Sequence, residues 1–251
     1  MRILISNDDG IDAEGIRVAE QIALSLSGDV YVVAPAVQQS GRGHAFSVDH
    51  AVNVYKRDER HYAVGGTPTD CVLYACRELL KDSLPDLVLS GVNIGGNFGW
   101  DVSYSGTAGA AIEGTLQGVK SVAMSLHVSD FAAKPAWDVP LTHAPAIIEK
   151  LYAAKWRAHT FININFPECS PDETAGVRVT PLSECKIGNT LHTQKNYAGY
   201  PYFWIDPSRQ VDPRETGTDY CDVRAKNAIA VTPVTTEWTD FETLETLKTL
   251  F

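Results

Sequence analysis

The chain has 251 residues, of which 44% are hydrophobic, 21% charged and 9% aromatic, an ordinary globular composition that excludes a disordered, collagen-like or coiled-coil polymer. Its 21 Lys and Arg against 31 Asp and Glu give a formal charge of −10, so it has no electrostatic footprint for a nucleic-acid duplex or an anionic membrane, and an anionic substrate would need a local device such as a bound cation. No apolar run approaches the roughly 18 to 20 residues that span a bilayer, and the N-terminus turns acidic too early for a secretory segment, so a cytoplasmic protein is expected.

Arg2 to Ser6 is a short apolar run ending at Asn7-Asp8-Asp9-Gly10, which reads as a buried strand feeding a loop. Ile16, Ala19, Ile22, Ala23 and Leu26 then repeat at helical spacing, and Asp29 to Ala34 is a second β-rich run closed by Pro35. Thr67 is placed to cap a helix with Pro68 at its first position, and Val72, Ala75, Cys76, Leu79 and Leu80 form its apolar stripe. Asp86 to Ser90 reads as a strand, Gly91 to Gly106 as a Gly-rich loop, and Ala108, Ala111, Ile112, Thr115 and Val119 as one face of the next helix. Strand Ser121 to Leu126, a helix through Ala144, Ile147, Ile148, Leu151 and Tyr152, and strand Thr160 to Asn165 follow. Strands alternating with helices predict an α/β fold with a Rossmann-like, mostly parallel sheet.

One domain is expected, with its core over about residues 1–165. From about 168 to 226 periodicity is lost among Pro, Gly and aromatics, which predicts an irregular β-rich C-terminal appendage. Asn227 to Thr232 reads as a returning strand, and Thr239 to Phe251 as a polar helix or tail. Cys71, Cys76, Cys169, Cys185 and Cys221 are odd in number and contain no CxxC, so reduced thiols are expected rather than a disulfide frame or a zinc site.

In an open parallel sheet the ligand lies beyond the carboxyl ends of the strands, so the residues just after each strand are informative. Adjacent carboxylates repel, and Asp8 and Asp9 after the first strand are therefore candidates to hold a divalent cation; a solvated Asp-Asp-Gly turn is the simpler reading of the pair taken alone. Ser40 and Asn93 offer neutral oxygens that suit a hard ion such as Mg²⁺ or Mn²⁺. Gly106 and Thr107 at a helix start, preceded by Ser105, could seat a phosphate on free backbone N–H groups, or form an ordinary N-cap. His44 and His127 near these loops read as structural rather than as ligands.

The usual nucleotide and hydrolase fingerprints are missing. GxGxxG does not follow the first strand, Asn97 stands where a Walker A motif needs Lys, and neither GxSxG nor HExxH occurs. An enzyme of phosphate esters, a non-catalytic nucleotide sensor and a metal-dependent sugar-nucleotide transferase all remain open on these residues alone.

Longer motifs narrow the choice. The start Met-Arg-Ile-Leu-Ile-Ser-Asn-Asp-Asp-Gly-Ile, Val33-Ala34-Pro35 through Gln39-Ser40-Gly41, Gly66-Thr67-Pro68-Thr69-Asp70-Cys71-Val72, Pro85-Asp86-Leu87-Val88-Leu89-Ser90-Gly91-Val92-Asn93, Tyr104-Ser105-Gly106-Thr107, and Gly217-Thr218-Asp219-Tyr220 with Val231-Thr232-Pro233-Val234 resemble the SurE survival-protein family nearly end to end. The resemblance implies a Rossmann-like, metal-dependent phosphatase of nucleoside 5′- and 3′-monophosphates, with short polyphosphate as an additional substrate. It implies one divalent ion per subunit, Mg²⁺ or Mn²⁺, on Asp8, Asp9, Ser40 and Asn93, and a phosphate side formed by Asn97, Ser105, Gly106 and Thr107. Asp8, Asp9, Asn97 and Ser105 are thereby the expected catalytic group, with water or an aspartate as nucleophile. It further implies a homodimer or homotetramer, with the contact expected in residues 185–225. Trp100, and Asp12-Ala13-Glu14 in place of His-Ala-Pro, depart from the family pattern and are expected to alter loop shape and substrate preference.

Overall fold

The computed structural model describes residues 1–212 and 214–251. In chain order the elements are β1 (Arg2–Ser6), α1 (Glu14–Leu26), β2 (Asp29–Pro35), β3 (Val54–Lys56), β4 (His61–Val64), α2 (Pro68–Tyr74), β5 (Leu87–Ile94), α3 (Gly106–Leu116), β6 (Lys120–Leu126), α4 (Asp138–Ala153), β7 (Thr160–Phe166), β8 (Val177–Val179), β9 (Leu191–Lys195), β10 (Pro201–Ile205), α5 (Asp219–Lys226), β11 (Ile229–Thr235) and α6 (Phe241–Lys248). Among the described residues nine strands form one sheet in the order β3-β4-β2-β1-β5-β6-β7-β11-β8. The inner strands run parallel, and β3 on β4 and β11 on β7 are antiparallel. This is the α/β, mostly parallel architecture that the sequence predicts.

Successive residues of a strand point to opposite faces, so a sheet covered on both sides needs continuous apolar runs. Ile3 and Ile5 of β1 enter the cluster under α1 and α4, whereas Leu4 enters the one under α2 and α3; Leu87, Val88 and Leu89 of β5 divide the same way. Ile16, Ala19, Ile22 and Ala23 form the buried stripe of α1. The Thr67 hydroxyl accepts from the Asp70 N–H at 3.2 Å while Asp70 Oδ2 accepts from the Thr67 N–H at 2.9 Å. Such a reciprocal cap stabilises the first turn of α2, which beyond Tyr74 continues as π-helix over Ala75–Leu79.

Two boundaries differ from expectation. The stretch read as a Gly-rich loop from Gly91 is still sheet: β5 runs on to Ile94 through a register shift between Ser90 and Asn93, and its Asn93 pairs with Ser125 of β6. The core does not close near residue 165, because β11 pairs along β7 and β8 adds to β11. Of the stretch 168–226, β9 and β10 form a separate antiparallel hairpin whose residues are all exposed.

Candidate active site

The strand-end loops meet in a cleft of about 490 Å³ beyond the carboxyl ends of β1 and β5, lined by Asp8, Asp9, Ser40, Asn93, Asn97, Asp101, Ser105 and Arg209 among others. Its floor is set by the turn after β1. The Asn7 side chain donates to the Gly10 carbonyl at 2.9 Å and accepts from the Gly10 N–H at 3.2 Å, and Gly10 takes φ +103°, a backbone state open to glycine. This turn projects Asp8 and Asp9 into the cleft.

The N-terminus of α3 closes on Asp8. A Cβ on Gly106 would lie 2.7 Å from Asp8 Cβ, so only glycine permits this approach. Thr107 is fully buried and its hydroxyl donates to Asp8 Oδ1 at 2.6 Å. The expected phosphate seat is therefore divided: Ser105 lines the cleft, while the Thr107 hydroxyl faces the carboxylate. Ser105 Oγ accepts from the Ala108 N–H at 3.0 Å and caps α3; the hydroxyl proton is not used by that bond and stays available to a ligand oxygen.

Asp8 is 5% exposed, and burial pushes its carboxyl up to about 6 against the lowering pull of Thr107, with the neighbouring Asp9 charge raising it further. Burial likewise raises Asp9, opposed by the Ile94 N–H at 3.5 Å. Among the described residues neither carboxylate forms an ion pair with a Lys, Arg or His, and no group of three or more His, Cys, Asp or Glu side chains gathers. A buried carboxylate and a half-buried one, both without a cationic partner among the described residues and set beside neutral oxygens, fit a hard cation with an all-oxygen donor set better than a soft ion that takes thiolate ligands.

The neutral donors are held in place by hydrogen bonds from their own loops. Asn93 Nδ2 donates to the Gly95 carbonyl at 2.7 Å, which leaves its Oδ1 as the free acceptor. The loop carrying Ser40 is tied down by Gln39 N–H to the Asp8 carbonyl at 2.7 Å, Gly43 N–H to the Tyr104 carbonyl at 2.9 Å, His44 to Glu113 at 2.9 Å and the Ser47 hydroxyl to Asp70 at 2.8 Å. His44 thus has the structural role expected of it. His127 packs edge-on against Phe98 with ring centroids 5.6 Å apart.

Asn97 sits in a polar frame that sequence reasoning missed. Its backbone N–H donates to Asn165 at 2.9 Å, its carbonyl accepts from Asn163 at 2.8 Å and Asn165 at 3.0 Å, and its Nδ2 donates to Ser125 at 2.8 Å. The available signal was Asn163-Ile164-Asn165 in an otherwise apolar strand, since two polar residues at period two share one face. Asp219 was also missed: fully buried at the start of α5, it accepts from the N–H groups of Gly99 at 3.0 Å and Ser183 at 2.8 Å and so fixes the loop after Asn97. Asp101 and Arg209 form a further unpredicted feature, an ion pair in which Arg209 Nε–H donates to Asp101 Oδ2 at 2.6 Å.

The chain is similar to known proteins over its whole length. Residues 3–189 match the family described as Survival protein SurE. A relative from Rhodospirillum rubrum named 5′-nucleotidase SurE is 41% identical over 252 aligned positions, covering 100% of this chain and 96% of the relative. A protein of the same name from Allorhizobium ampelinum is 46% identical, covering 96% and 94%. The crystal structure of the SurE protein from Aquifex aeolicus superposes with a TM-score of 0.85 at 32% identity, covering 100% of this chain and 99% of that one. The fold is an α/β one with a mostly parallel sheet, and this chain belongs to the SurE family.

Proposed function

We propose that this protein is a divalent-metal-dependent phosphomonoesterase that hydrolyses nucleoside 5′-monophosphates, and also 3′-monophosphates and short polyphosphate. The observation that carries the reading is the adjacent Asp8–Asp9 pair, buried at Asp8 and half-buried at Asp9, which among the described residues has no cationic partner and opens onto a cleft shared with Ser40, Asn93, Asn97 and Ser105. The full-length relatives named 5′-nucleotidase support the same substrate class.

Phosphate monoesters hydrolyse very slowly without help, and enzymes accelerate the reaction by positioning and by stabilising charge on the phosphoryl oxygens. Asp8, Asp9, Ser40 and Asn93 would hold one Mg²⁺ or Mn²⁺, which when bound supplies positive charge to a phosphoryl oxygen and acidifies a water. Asn97 and Ser105 donate to the remaining phosphoryl oxygens, with the N–H groups at the start of α3 adding their dipole. Thr107 keeps Asp8 oriented. Asp9, less enclosed than Asp8, orients the attacking water and takes its proton. As the new P–O bond forms, the ester P–O bond breaks and the proton taken by Asp9 passes through solvent to the leaving oxygen, so that the nucleoside leaves as its alcohol with inorganic phosphate as the second product. Direct attack by Asp8 is disfavoured because its Oδ1 is already hydrogen-bonded to Thr107, which weakens it as a nucleophile.

Among the described residues no helix is long and apolar enough to cross a membrane, in keeping with a cytoplasmic enzyme. The exposed β9–β10 hairpin and its flanks are the contact proposed for a homodimer or homotetramer. Phosphate release from a panel of 5′- and 3′-monophosphates and from short polyphosphate, with and without Mg²⁺ or Mn²⁺, tests the assignment. Metal-dependent release from the nucleotides supports it; nucleotide binding without phosphate release would instead mark a sensor.

A further inference from the structure

Arg209 is the only Lys, Arg or His among the described residues that line the cleft. It lies beyond the β9–β10 hairpin, in the non-periodic stretch that the sequence reading treated as an appendage. Its side chain is 19% exposed and is clamped from two directions, with Nε–H donating to Asp101 Oδ2 at 2.6 Å and Nη2–H donating to the Gly96 carbonyl at 3.0 Å. The guanidinium carbon also lies 5.5 Å from the ring centroid of Phe98, a fully buried residue, which adds a cation–π contact.

A purely structural Arg–Asp pair would spend its planar fork on one carboxylate, the arrangement that gives the strongest bond. Here the fork is split between two acceptors on different parts of the cleft wall. A guanidinium carries five N–H donors, and two are used, so three have no protein partner among the described residues. Both anchors belong to the phosphate side. Gly96 immediately precedes Asn97, and the Asp101 carbonyl accepts from the Ser105 N–H at 3.1 Å. Asp101 itself is fixed by the Ile187 N–H at 2.7 Å.

From this geometry we infer that Arg209 is a substrate-binding residue whose unused N–H groups take a non-bridging oxygen of the substrate's phosphoryl group. The inference rests on the phosphatase reading above. A phosphate entering a cleft with two carboxylates gains from a second positive group besides the cation, and a clamped guanidinium supplies it without losing rotamer freedom on binding. It also gives the segment after the hairpin a part in the active site.

The test compares wild type with Arg209→Lys and Arg209→Ala in three measurements: hydrolysis of AMP, competitive inhibition by inorganic phosphate, and the melting temperature with and without phosphate. A hydrogen bond to a charged group is lost on substitution, so the inhibition constant for phosphate rises about 10-fold or more in Arg209→Ala, with kcat/KM for AMP falling at least as far. Arg209→Lys, which keeps the charge without the fork, is intermediate. Phosphate raises the melting temperature of wild type more than that of either variant. A phosphate inhibition constant within about twofold of wild type in Arg209→Lys would overturn the inference, as would an equal phosphate-induced rise in melting temperature. Wild type that releases no phosphate from AMP would overturn the phosphatase reading instead, which keeps the two failures apart.

Discussion

The Thr107 hydroxyl donates a 2.6 Å hydrogen bond to Asp8 Oδ1, joining the first turn of α3 to the end of β1 across 99 residues of chain. Side chains that orient a metal-binding carboxylate typically contribute about 10- to 100-fold to metal affinity or activity. Thr107→Val keeps the shape and removes the donor, so it should shift the metal-activation curve by about that factor while circular dichroism stays unchanged. Thr107→Ser should retain most of the wild-type behaviour. A normal metal requirement in Thr107→Val would detach Thr107 from the site.

Asp8→Asn separates the cost of the buried charge from its use. Burial disfavours the ionised Asp8, and nothing cationic in the described chain offsets it, so the metal-free Asn variant should melt a few degrees above metal-free wild type at neutral pH, about 1 kcal/mol or more. Mg²⁺ or Mn²⁺ should raise the wild-type melting temperature and leave the variant's unmoved, since an ion that binds only the native state stabilises it. Asp9→Asn should likewise lose the metal response. A metal-induced rise of equal size in either variant would place the cation elsewhere.

For Asn97 and Ser105 the structure sharpens what substitution should do. Ser105→Ala removes the cap of α3, so about 1 kcal/mol of stability should go, and by analogy with deleting an oxyanion donor, kcat should also fall by roughly 10² with little change in KM. Asn97→Ala should produce a similar fall in kcat. Kinetics and a thermal melt on the same variants decide the point: lowered melting with normal kcat in both would reduce these residues to structural roles.

How far these features could be read in advance depended on how local they are. Asn7-Asp8-Asp9-Gly10 after an apolar run announces a strand-end turn because its chemistry lies within four consecutive residues, and the Thr67–Asp70 cap is equally local. The end of β5 was hidden because Gly91 and Gly95 look like loop residues. Gly91 has φ +131° and its missing Cβ would lie 2.2 Å from the Met124 carbonyl oxygen, so its glycine serves close strand packing rather than a turn. Edge strand β8 has three residues, too few for a period to register. Arg209 carries no pattern at all, for its partners Asp101 and Gly96 lie more than 100 residues earlier.

His61 provides a pH-dependent element away from the site. Burial alone would lower its pKa, but hydrogen bonds to Asp58 at 2.9 Å and Glu20 at 2.8 Å outweigh that and raise it. A raised folded-state pKa gives stability that is complete below the unfolded value of about 6.5 and is lost as pH climbs through the folded one. With solvent screening the contribution is about 0.5 kcal/mol. Melting temperature should therefore fall more steeply above neutral pH in wild type than in His61→Gln; identical pH profiles would contradict the assignment.

The hairpin exposes Tyr202, Phe203, Trp204 and Ile205, which are 41 to 70% accessible and alternate between its two faces, and exposed apolar surface of this kind commonly marks an interface. If the proposed homodimer or homotetramer forms through this hairpin, replacing Phe203 and Trp204 by Ser should convert it to monomer by light scattering. These positions leave Arg209 in place, so an effect on assembly is not confused with one on the cleft. An unchanged molar mass would rule out this contact.

The central claim is that the adjacent Asp8–Asp9 pair makes the cleft a metal-dependent phosphatase. Its most direct test is phosphate release from AMP by the chelated protein as Mg²⁺ or Mn²⁺ is titrated in, with Asp8→Asn alongside. The account predicts no release by wild type until metal is added, saturable activation thereafter, and no activation of the variant. Full release by chelated wild type, or wild-type activation of Asp8→Asn, would contradict it.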